Sequence, residues 1–224
     1  MKYLGVLLIF LTGCSIDQGK TTESAKKIAW ELTESRNKAE ENSKLFGSDS
    51  LQLSSGPKTD FFIEPGLPPY NKANAPLLLM PIDNTQPFTF SIKVKPTHRV
   101  TYDAGMAFLY IDDNEWLKLA FEVDERMVGR IVTVKTNEFS DDNNHEVVAS
   151  KSVYLKISSN TKVVGFYYSV DGKTWQLVRV FKNDYPTTLK LGIGSQSPEG
   201  QGNSSIFSEF KMAKTSIKDF RMGL

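Results

Sequence analysis

The chain has 224 residues, with 27 basic and 26 acidic side chains and a formal net charge of +1. These charges are spread along the sequence, so no cluster of Lys and Arg forms the basic stripe that phosphate backbones require, and nucleic acid is excluded as an expected partner. A single cysteine, Cys14, excludes an internal disulfide and leaves the fold to be held by its hydrophobic core.

The N-terminus has the pattern of an export signal followed by a lipid attachment site. The apolar run at residues 3–11 is shorter than the roughly 20 residues that cross a bilayer, which is typical of a signal peptide. The segment Leu11-Thr12-Gly13-Cys14 resembles the lipobox of bacterial lipoproteins, in which the chain is cut before the cysteine. We therefore expect residues 1–13 to be a lipoprotein signal peptide and residues 14–24 to be a polar, lipidated tether.

Lipid on Cys14 makes a membrane surface the expected partner of the N-terminus. Two or more acyl chains on one residue give durable attachment, whereas one chain holds only marginally. By resemblance to lipoproteins of two-membrane cells, Ser15 after the cysteine permits sorting to the outer membrane. The expected location is the cell envelope, and it is the outer membrane if the host has two. The alternative is a buried N-terminal strand with an incidental cysteine.

Residues 25–46 leave two secondary structures open. Ala25, Ile28, Ala29 and Leu32 have helical spacing, and residues 36–44 are rich in helix formers. The apolar stripe ends at Leu32, so a longer helix would have little to bury. The sequence predicts either a short helix, or a first strand near residues 28–32 followed by a solvated loop. We expect residues 25–224 to form one domain.

From residue 77 onward the apolar residues recur mostly with a period of two, which predicts strands with one buried face. In Trp116-Leu117-Lys118-Leu119-Ala120-Phe121-Glu122, the residues at 117, 119 and 121 are expected in the core. Trp116, Lys118 and Glu122 then share the other face. Further strands are predicted at 59–63, 77–80, 88–94, 105–111, 130–136, 153–158, 188–195 and 205–212.

Two β-rich runs at residues 164–178 flank Asp171-Gly172. An Asp-Gly pair tolerates the positive φ angles of a tight turn, so this segment is predicted to be a β-hairpin. Many short strands with alternating hydrophobicity favour a sandwich or barrel over units of alternating strands and helices.

Several segments, taken in order, are similar to a known family. They include Tyr-Asp-Ala-Gly at 102–105, Asn-Glu-Trp-Leu-Lys-Leu at 114–119, the Asp-Gly-Lys hairpin at 167–175, and the segments at 59–62, 140–142, 192–198 and 207–210. This order resembles the domain of unknown function 1349 family over most of residues 28–224. The resemblance implies an all-β fold, a two-sheet antiparallel β-sandwich of the concanavalin A-like jelly-roll type with a concave outer face. It also suggests glycan binding.

Glucanases of this fold carry their catalytic carboxylates at alternating positions of one strand. The segment Glu122-Val123-Asp124-Glu125-Arg126 comes close to that pattern. Glu125 is adjacent to Asp124 and would point to the opposite face, and Arg126 stands where the second glutamate belongs. The segment is better interpreted as a strand end followed by a charged turn, and no catalytic residue is assigned.

A sugar-binding face needs an aromatic plane for stacking and polar groups for the hydroxyls. Trp116 and Glu122 share a face by alternation. The resemblance places further candidates in bordering loops or strands, namely Tyr102, Asp103, Arg130, Ser140, Asp141, Asp142 and Gln196. We expect a glycan to stack on Trp116 and to bond with Glu122, Arg130 and the Asp141-Asp142 loop. The alternative is that Trp116 merely covers the sheet edge.

No cofactor or metal is expected. The acidic segments at 112–115 and 141–144 lack the spacing and central glycine of a calcium loop, and are interpreted as solvated turns. His98 and His145 have no neighbouring ligand residue for zinc. Three hypotheses remain: a membrane-tethered, non-catalytic carbohydrate-binding domain; a divergent glycan hydrolase or lyase that uses Glu122 with a loop acid; and a cell-envelope interaction scaffold without a small ligand.

Overall fold

The computed structural model describes residues 31–46, 49–66 and 70–224. The predicted signal peptide, the tether and Cys14 lie outside these residues, as does the part of residues 25–46 that precedes residue 31. Within the described ranges, no helix has the length and apolar content needed to cross a membrane.

The described residues form antiparallel β-strands. They are β1 (Glu34–Arg36), β2 (Ser43–Phe46), β3 (Ser50–Ser55), β4 (Phe61–Ile63), β5 (Asn71–Ala73), β6 (Leu77–Asp83), β7 (Phe88–Pro96), β8 (Ala104–Tyr110), β9 (Glu115–Val123), β10 (Gly129–Asn137), β11 (Phe139–Val147), β12 (Val153–Ser159), β13 (Val163–Ser169), β14 (Gln176–Lys182), β15 (Thr188–Gln196) and β16 (Asn203–Ala213).

Two seven-stranded sheets pack face to face. Sheet A has the order β1-β6-β15-β8-β9-β10-β11, and sheet B has the order β14-β13-β12-β7-β16-β3-β2. Strands β4 and β5 form a separate two-stranded hairpin. The predicted all-β sandwich is therefore confirmed.

The core between the sheets follows the predicted alternation on β9. Leu117, Leu119 and Phe121 are fully buried and belong to the same hydrophobic cluster as Phe90 and Ile157 of sheet B. Removing each such side chain from water stabilises the fold by about 1.5–3 kcal/mol. Because successive side chains of a strand point to opposite faces, Trp116, Lys118 and Glu122 emerge on the outer face of sheet A.

The predicted hairpin is also confirmed, as β13 and β14 pair on either side of Asp171-Gly172. Gly172 has a φ of 72°. The Asp171 carboxylate accepts hydrogen bonds from the backbone amides of Lys173 and Thr174, and these bonds hold its pKa far below the usual range.

Residue 31 is helical, and residues 34–46 form β1, a turn and β2, so no helix extends into the part of this segment that is rich in helix formers. Asn37 and Lys38 have φ angles of 52° and 59°, which a right-handed helix cannot contain. The Asn37 side chain donates to the carbonyl oxygens of Ala73 and Ala75, so long-range contacts override the helix-forming composition. Of the alternative first strand at 28–32, the described residues 31 and 32 are not in a strand.

The β4–β5 hairpin covers part of the outer face of sheet A. Phe61 and Ile63 of β4 form a second hydrophobic cluster with residues of sheet A that include Trp116, Val132 and Val134. The hairpin is attached by polar contacts as well, since the amide of Ile63 donates to the hydroxyl of Ser140 at 2.9 Å. The uncovered part of this face, beside the hairpin, is where a cleft opens.

Candidate ligand-binding cleft

A cleft of about 310 Å³ lies between the outer face of sheet A and the β4–β5 hairpin. Its walls combine carboxylates, amides, aromatic rings and a short apolar floor. The lining residues are Asp60, Phe62, Glu64, Tyr70, Tyr102, Lys118, Glu122, Glu125, Val132, Val134, Asp142, Asn144, Gln196, Pro198 and Glu199.

Strand register explains which sheet residues meet in this cleft. Val134 pairs with Lys118 on one side and with Asp142 on the other, so these three side chains form one row. Ala104 pairs with Glu122 and with Gln196 and forms a second row. Lys118 and Glu122 are four residues apart on β9, so both rows lie on the same face, roughly 13 Å apart along the strand.

Gln196 connects the polar groups of the two rows. Its Nε2 donates to Glu122 Oε2 at 3.2 Å and to the carbonyl oxygen of Tyr102 at 3.1 Å. Its Oε1 accepts from Lys118 Nζ at 3.2 Å. Because the donor and the acceptor of the Gln196 amide are both engaged, its orientation is fixed, and the polar groups of the two rows are held in one arrangement.

Lys118 is the buried cation of the cleft, with 2% of its surface exposed. Its ammonium donates to the carbonyl oxygen of Phe61 at 2.9 Å and lies 3.6 Å from the carboxylate of Asp60. Asp60 also accepts a hydrogen bond from the Tyr70 hydroxyl at 3.2 Å. Lys118 thus joins sheet A to the hairpin that forms the opposite wall.

Glu122 is a buried acid. Burial away from water raises its pKa to about 8, although the nearby Lys118 ammonium acts in the opposite direction. At neutral pH this carboxyl is therefore largely protonated and is able to donate as well as accept a hydrogen bond. Burial also raises the pKa of Asp142, with Lys118 again opposing.

Tyr102 is the exposed aromatic residue at the mouth of the cleft, with 39% of its surface exposed. Its φ is 68°, a conformation that a bulky side chain adopts rarely and at a cost of about 1–3 kcal/mol. Asp103 holds this loop, because its carboxylate accepts from the amides of Arg99 and Val100 and from the Ser197 hydroxyl. The fold therefore maintains a strained backbone that presents the ring to solvent.

The sequence-based candidates divide into two groups. Tyr102, Glu122, Asp142 and Gln196 line the cleft together. The expectation that Trp116 offers a stacking plane is wrong, because it is fully buried. Trp116 does lie on the same face as Glu122, but the Phe61 ring packs edge-on against it at 5.2 Å between ring centroids.

The other four candidates have structural contacts and do not line the cleft. Asp103 orders the Tyr102 loop as described. Ser140 hydrogen-bonds to Thr136 at 2.8 Å and anchors the hairpin. Arg130 binds the Asp124 carboxylate and the carbonyl oxygen of His145. Asp141 points to the opposite side from Asp142 and pairs with Arg179 of sheet B at 2.9 Å.

Sequence reasoning missed the contribution of the hairpin and the role of Lys118. Asp60, Phe62, Glu64 and Tyr70 all reach the cleft from the segment around β4 and β5. A signal for Lys118 was present, since a lysine stands among buried apolar residues of β9 on the face of Trp116.

The described residues provide no metal site. In the part of the chain that the structure describes, no group of three His, Cys, Asp or Glu side chains is arranged to hold a metal ion. The acidic segment at 112–115 forms a turn in which Asp112 accepts from the amide of Asn114, and Asp113 pairs with Arg36. The interpretation of residues 141–144 as a turn is wrong, because they lie within β11 and pair with β10. His98 packs on Phe121 at 4.6 Å between ring centroids.

The chain is similar in sequence to one protein family and similar in structure to several solved proteins. The model of the family described as "Protein of unknown function (DUF1349)" matches residues 37–215. The yeast (Saccharomyces cerevisiae) protein named Regulation of enolase protein 1 is 27% identical over 134 residues, which are 58% of this chain and 66% of the yeast protein.

The solved structures show a shared fold. A functionally unknown S. cerevisiae protein has a TM-score of 0.73 at 24% identity, covering 82% of this chain and 98% of that one. A GH43 protein of Bacillus licheniformis has a TM-score of 0.58 at 15% identity, over 77% of this chain and 38% of that one. The Bacteroides ovatus xyloglucan PUL GH43B protein has a TM-score of 0.62 at 17% identity, over 80% of this chain and 36% of that one. This chain therefore spans well under half of either GH43 protein.

Proposed function

We propose a carbohydrate-binding function, without catalysis, for this chain, which belongs to the DUF1349 family of proteins of unknown function. The observation that carries the proposal is the cleft beside the β4–β5 hairpin, where an exposed tyrosine ring stands next to fixed polar groups. Solved proteins that share the sandwich include a GH43 glycoside hydrolase, which makes a glycan the first ligand class to test.

The arrangement of the cleft suits a pyranose ring. Tyr102 offers an aromatic face for the C–H groups of a sugar, and Val132 and Val134 form an apolar floor. The Gln196 amide and the largely protonated Glu122 carboxyl stand below, where sugar hydroxyls both donate and accept. Because these groups are already held by the fold, little side-chain entropy is lost when a ligand binds.

Tyr102 is the residue expected to stack on a bound sugar. We expect Tyr102→Ala to weaken glycan binding about 5- to 13-fold, since loss of a stacking ring removes about 1–1.5 kcal/mol of favourable contact. A glycan array with the full chain identifies the ligand, and calorimetric titration measures the dissociation constant for each variant.

Two variants control this experiment. Tyr102→Phe keeps the ring and is expected to retain most of the affinity. Tyr154→Ala removes a tyrosine from the outer face of sheet B, where its hydroxyl bonds to Glu209, and is expected to leave binding unchanged. Equal affinity of Tyr102→Ala and the unmodified chain would argue against the cleft as the binding site.

A second candidate is a divergent glycan hydrolase or lyase. The raised pKa of Glu122 favours it, because a general acid must hold its proton at the working pH. Incubation of the full chain with the array ligands, followed by measurement of released reducing ends, separates the two functions. Release that disappears in Glu122→Gln would replace the binding proposal. Silence in both the binding and the release assays would favour a cell-envelope scaffold without a small ligand.

For the N-terminus we propose lipid attachment at Cys14, with the domain tethered in the cell envelope, on the strength of the apolar run and the lipobox pattern. We expect labelled palmitate to be incorporated into the protein in a bacterial host and to disappear in Cys14→Ala. Ser15→Ala is the control for a change beside the site and should keep the label. Label that persists in Cys14→Ala would refute this proposal.

A further inference from the structure

The structure assigns a more specific ligand class, and this step rests on the proposed function. We propose that the cleft binds a glycan that carries free, protonated amino groups, such as an oligomer of glucosamine.

The cleft has a strong excess of acidic groups. Its lining contains six carboxyl side chains, and Lys118 is the single basic lining residue among the described residues. The acids are Asp60, Glu64, Glu122, Glu125, Asp142 and Glu199. The whole chain has a net charge of +1, so this negative charge is a local feature. Field lines concentrate in a concave site with low-dielectric walls, which attracts a cationic ligand and repels glycans that carry uronic acids or sulfate.

Basic residues compensate only part of this charge. Lys118 lies 3.6 Å from Asp60, Lys58 lies 3.6 Å from Glu199, and Arg126 contacts Glu125 at 2.7 Å. The last two pairs are solvent-exposed, and such pairs contribute only about 0–1 kcal/mol. Within the described part of the chain, Glu64 and Asp142 form no ion pair, and Glu122 adds little charge because burial keeps it largely protonated at neutral pH.

Glu122 is a buried carboxyl group of this cleft. Its side chain is more than nine-tenths buried and faces the cleft, and its Oε2 accepts from Gln196. Among the described residues, no group donates a hydrogen bond to its other oxygen, Oε1. That oxygen is free to accept a hydrogen bond from a ligand that enters the cleft. An ammonium group supplies up to three hydrogen-bond donors, and its positive charge balances the negative charge of the surrounding carboxylates.

The non-acidic walls favour an amino sugar over a bare cation. Phe62, Tyr70 and Tyr102 present aromatic surface, and Val132 and Val134 present aliphatic surface. A sugar ring uses such surfaces through its C–H groups, and an attached ammonium is further stabilised near an aromatic face. The described residues have no three-ligand group for a metal ion. An amine on a sugar ring satisfies the acidic and the apolar features together.

The test compares three β-1,4-linked oligosaccharides of equal length that differ in one substituent. Glucosamine oligomers carry an amine, N-acetylglucosamine oligomers carry an amide, and cello-oligosaccharides carry a hydroxyl. With the full chain, at a mildly acidic pH where the amines are protonated, we expect the glucosamine oligomer to bind at least 10-fold more tightly than either neutral one. Raising the salt concentration should reduce that advantage, because the attraction is screened.

Two neighbouring aspartates provide matched variants. Asp142→Asn removes one cleft charge and is expected to reduce the preference for the amine about 5-fold or more. Asp141→Asn makes the same change one residue earlier, where the side chain points away from the cleft and pairs with Arg179, and should keep the preference. Thermal unfolding of both variants shows that each is folded.

The outcomes separate this inference from the proposed function. If the neutral oligosaccharides bind as tightly as the amine, the amino-sugar inference is overturned while carbohydrate binding stands. If none of the three binds, the amino-sugar inference is overturned, and the glycan array decides separately whether carbohydrate binding stands. If free spermine, a polyamine without a sugar ring, binds as tightly as the glucosamine oligomer, the amino-sugar assignment is overturned.

Discussion

Lys118→Met is expected to lower the free energy of unfolding by about 3–5 kcal/mol, the range found when one partner of a buried charged network is removed. Lys118 is almost fully buried, and its ammonium contacts Asp60, the carbonyl oxygen of Phe61 and Gln196. Met has a similar length and packs in the same space, but it donates no hydrogen bond. Asp60 would then be a buried carboxylate without its cation, and the pKa of Glu122 would rise further because Lys118 now lowers it.

Urea unfolding of the full chain measures this loss. Lys190→Met is the matched control, because Lys190 stands on β15 of the same sheet and pairs with Glu34 at the surface. A surface pair contributes about 0–1 kcal/mol, so that variant should be nearly as stable as the unmodified chain. The double variant Lys118→Met with Asp60→Asn should recover part of the loss, since it removes the charge left behind. A loss below about 1 kcal/mol for Lys118→Met would show that the network does not hold the hairpin to sheet A.

Alternation along β9 was predictable because it follows from local geometry. Side chains of a strand point to opposite faces, and the apolar residues at 117, 119 and 121 identified the core face correctly. The same rule placed Trp116, Lys118 and Glu122 together. It says nothing about what covers the other face, and here that cover is a hairpin of two three-residue strands. Short strands in a segment rich in Pro and Gly give almost no periodic signal.

Residues 34–46 were difficult for a related reason. Their composition favours a helix locally, but the chain turns at Asn37, whose side chain caps carbonyl groups of residues 73 and 75. These hydrogen bonds connect Asn37 to residues that are 36 and 38 positions further along the chain, so a local sequence pattern does not reveal them. Long-range pairing therefore decides the structure of this segment.

The candidate site was partly predictable. Family resemblance indicated the loops that approach the cleft, and Tyr102, Glu122, Asp142 and Gln196 do line it. It did not indicate which way each side chain points. Asp141 and Asp142 are adjacent on β11, so one faces the cleft and the other faces Arg179. Asp103 faces inward and bonds to its own loop.

Trp116→Ala is expected to lower the free energy of unfolding by about 3–5 kcal/mol, with little change in the affinity of the folded protein for its ligand. The indole is fully buried beneath Phe61, so its removal leaves a cavity in the second hydrophobic cluster. Urea unfolding measures the stability, and titration at a temperature where the variant is folded measures the affinity. A residue that stacked on a sugar would show the reverse, with affinity lost and stability kept.

Trp116→Phe is the control that separates packing from contact with the ligand. It keeps an aromatic ring against Phe61 and removes the indole N–H, which has no hydrogen-bond partner among the described residues. A swap that keeps the ring and deletes an unsatisfied donor should lower the unfolding free energy by less than about 1.5 kcal/mol. Normal stability with abolished glycan binding in Trp116→Phe would mean that the indole reaches the ligand, and the hairpin would then have to move aside for binding. Retained binding would leave Tyr102 as the aromatic residue that meets the sugar.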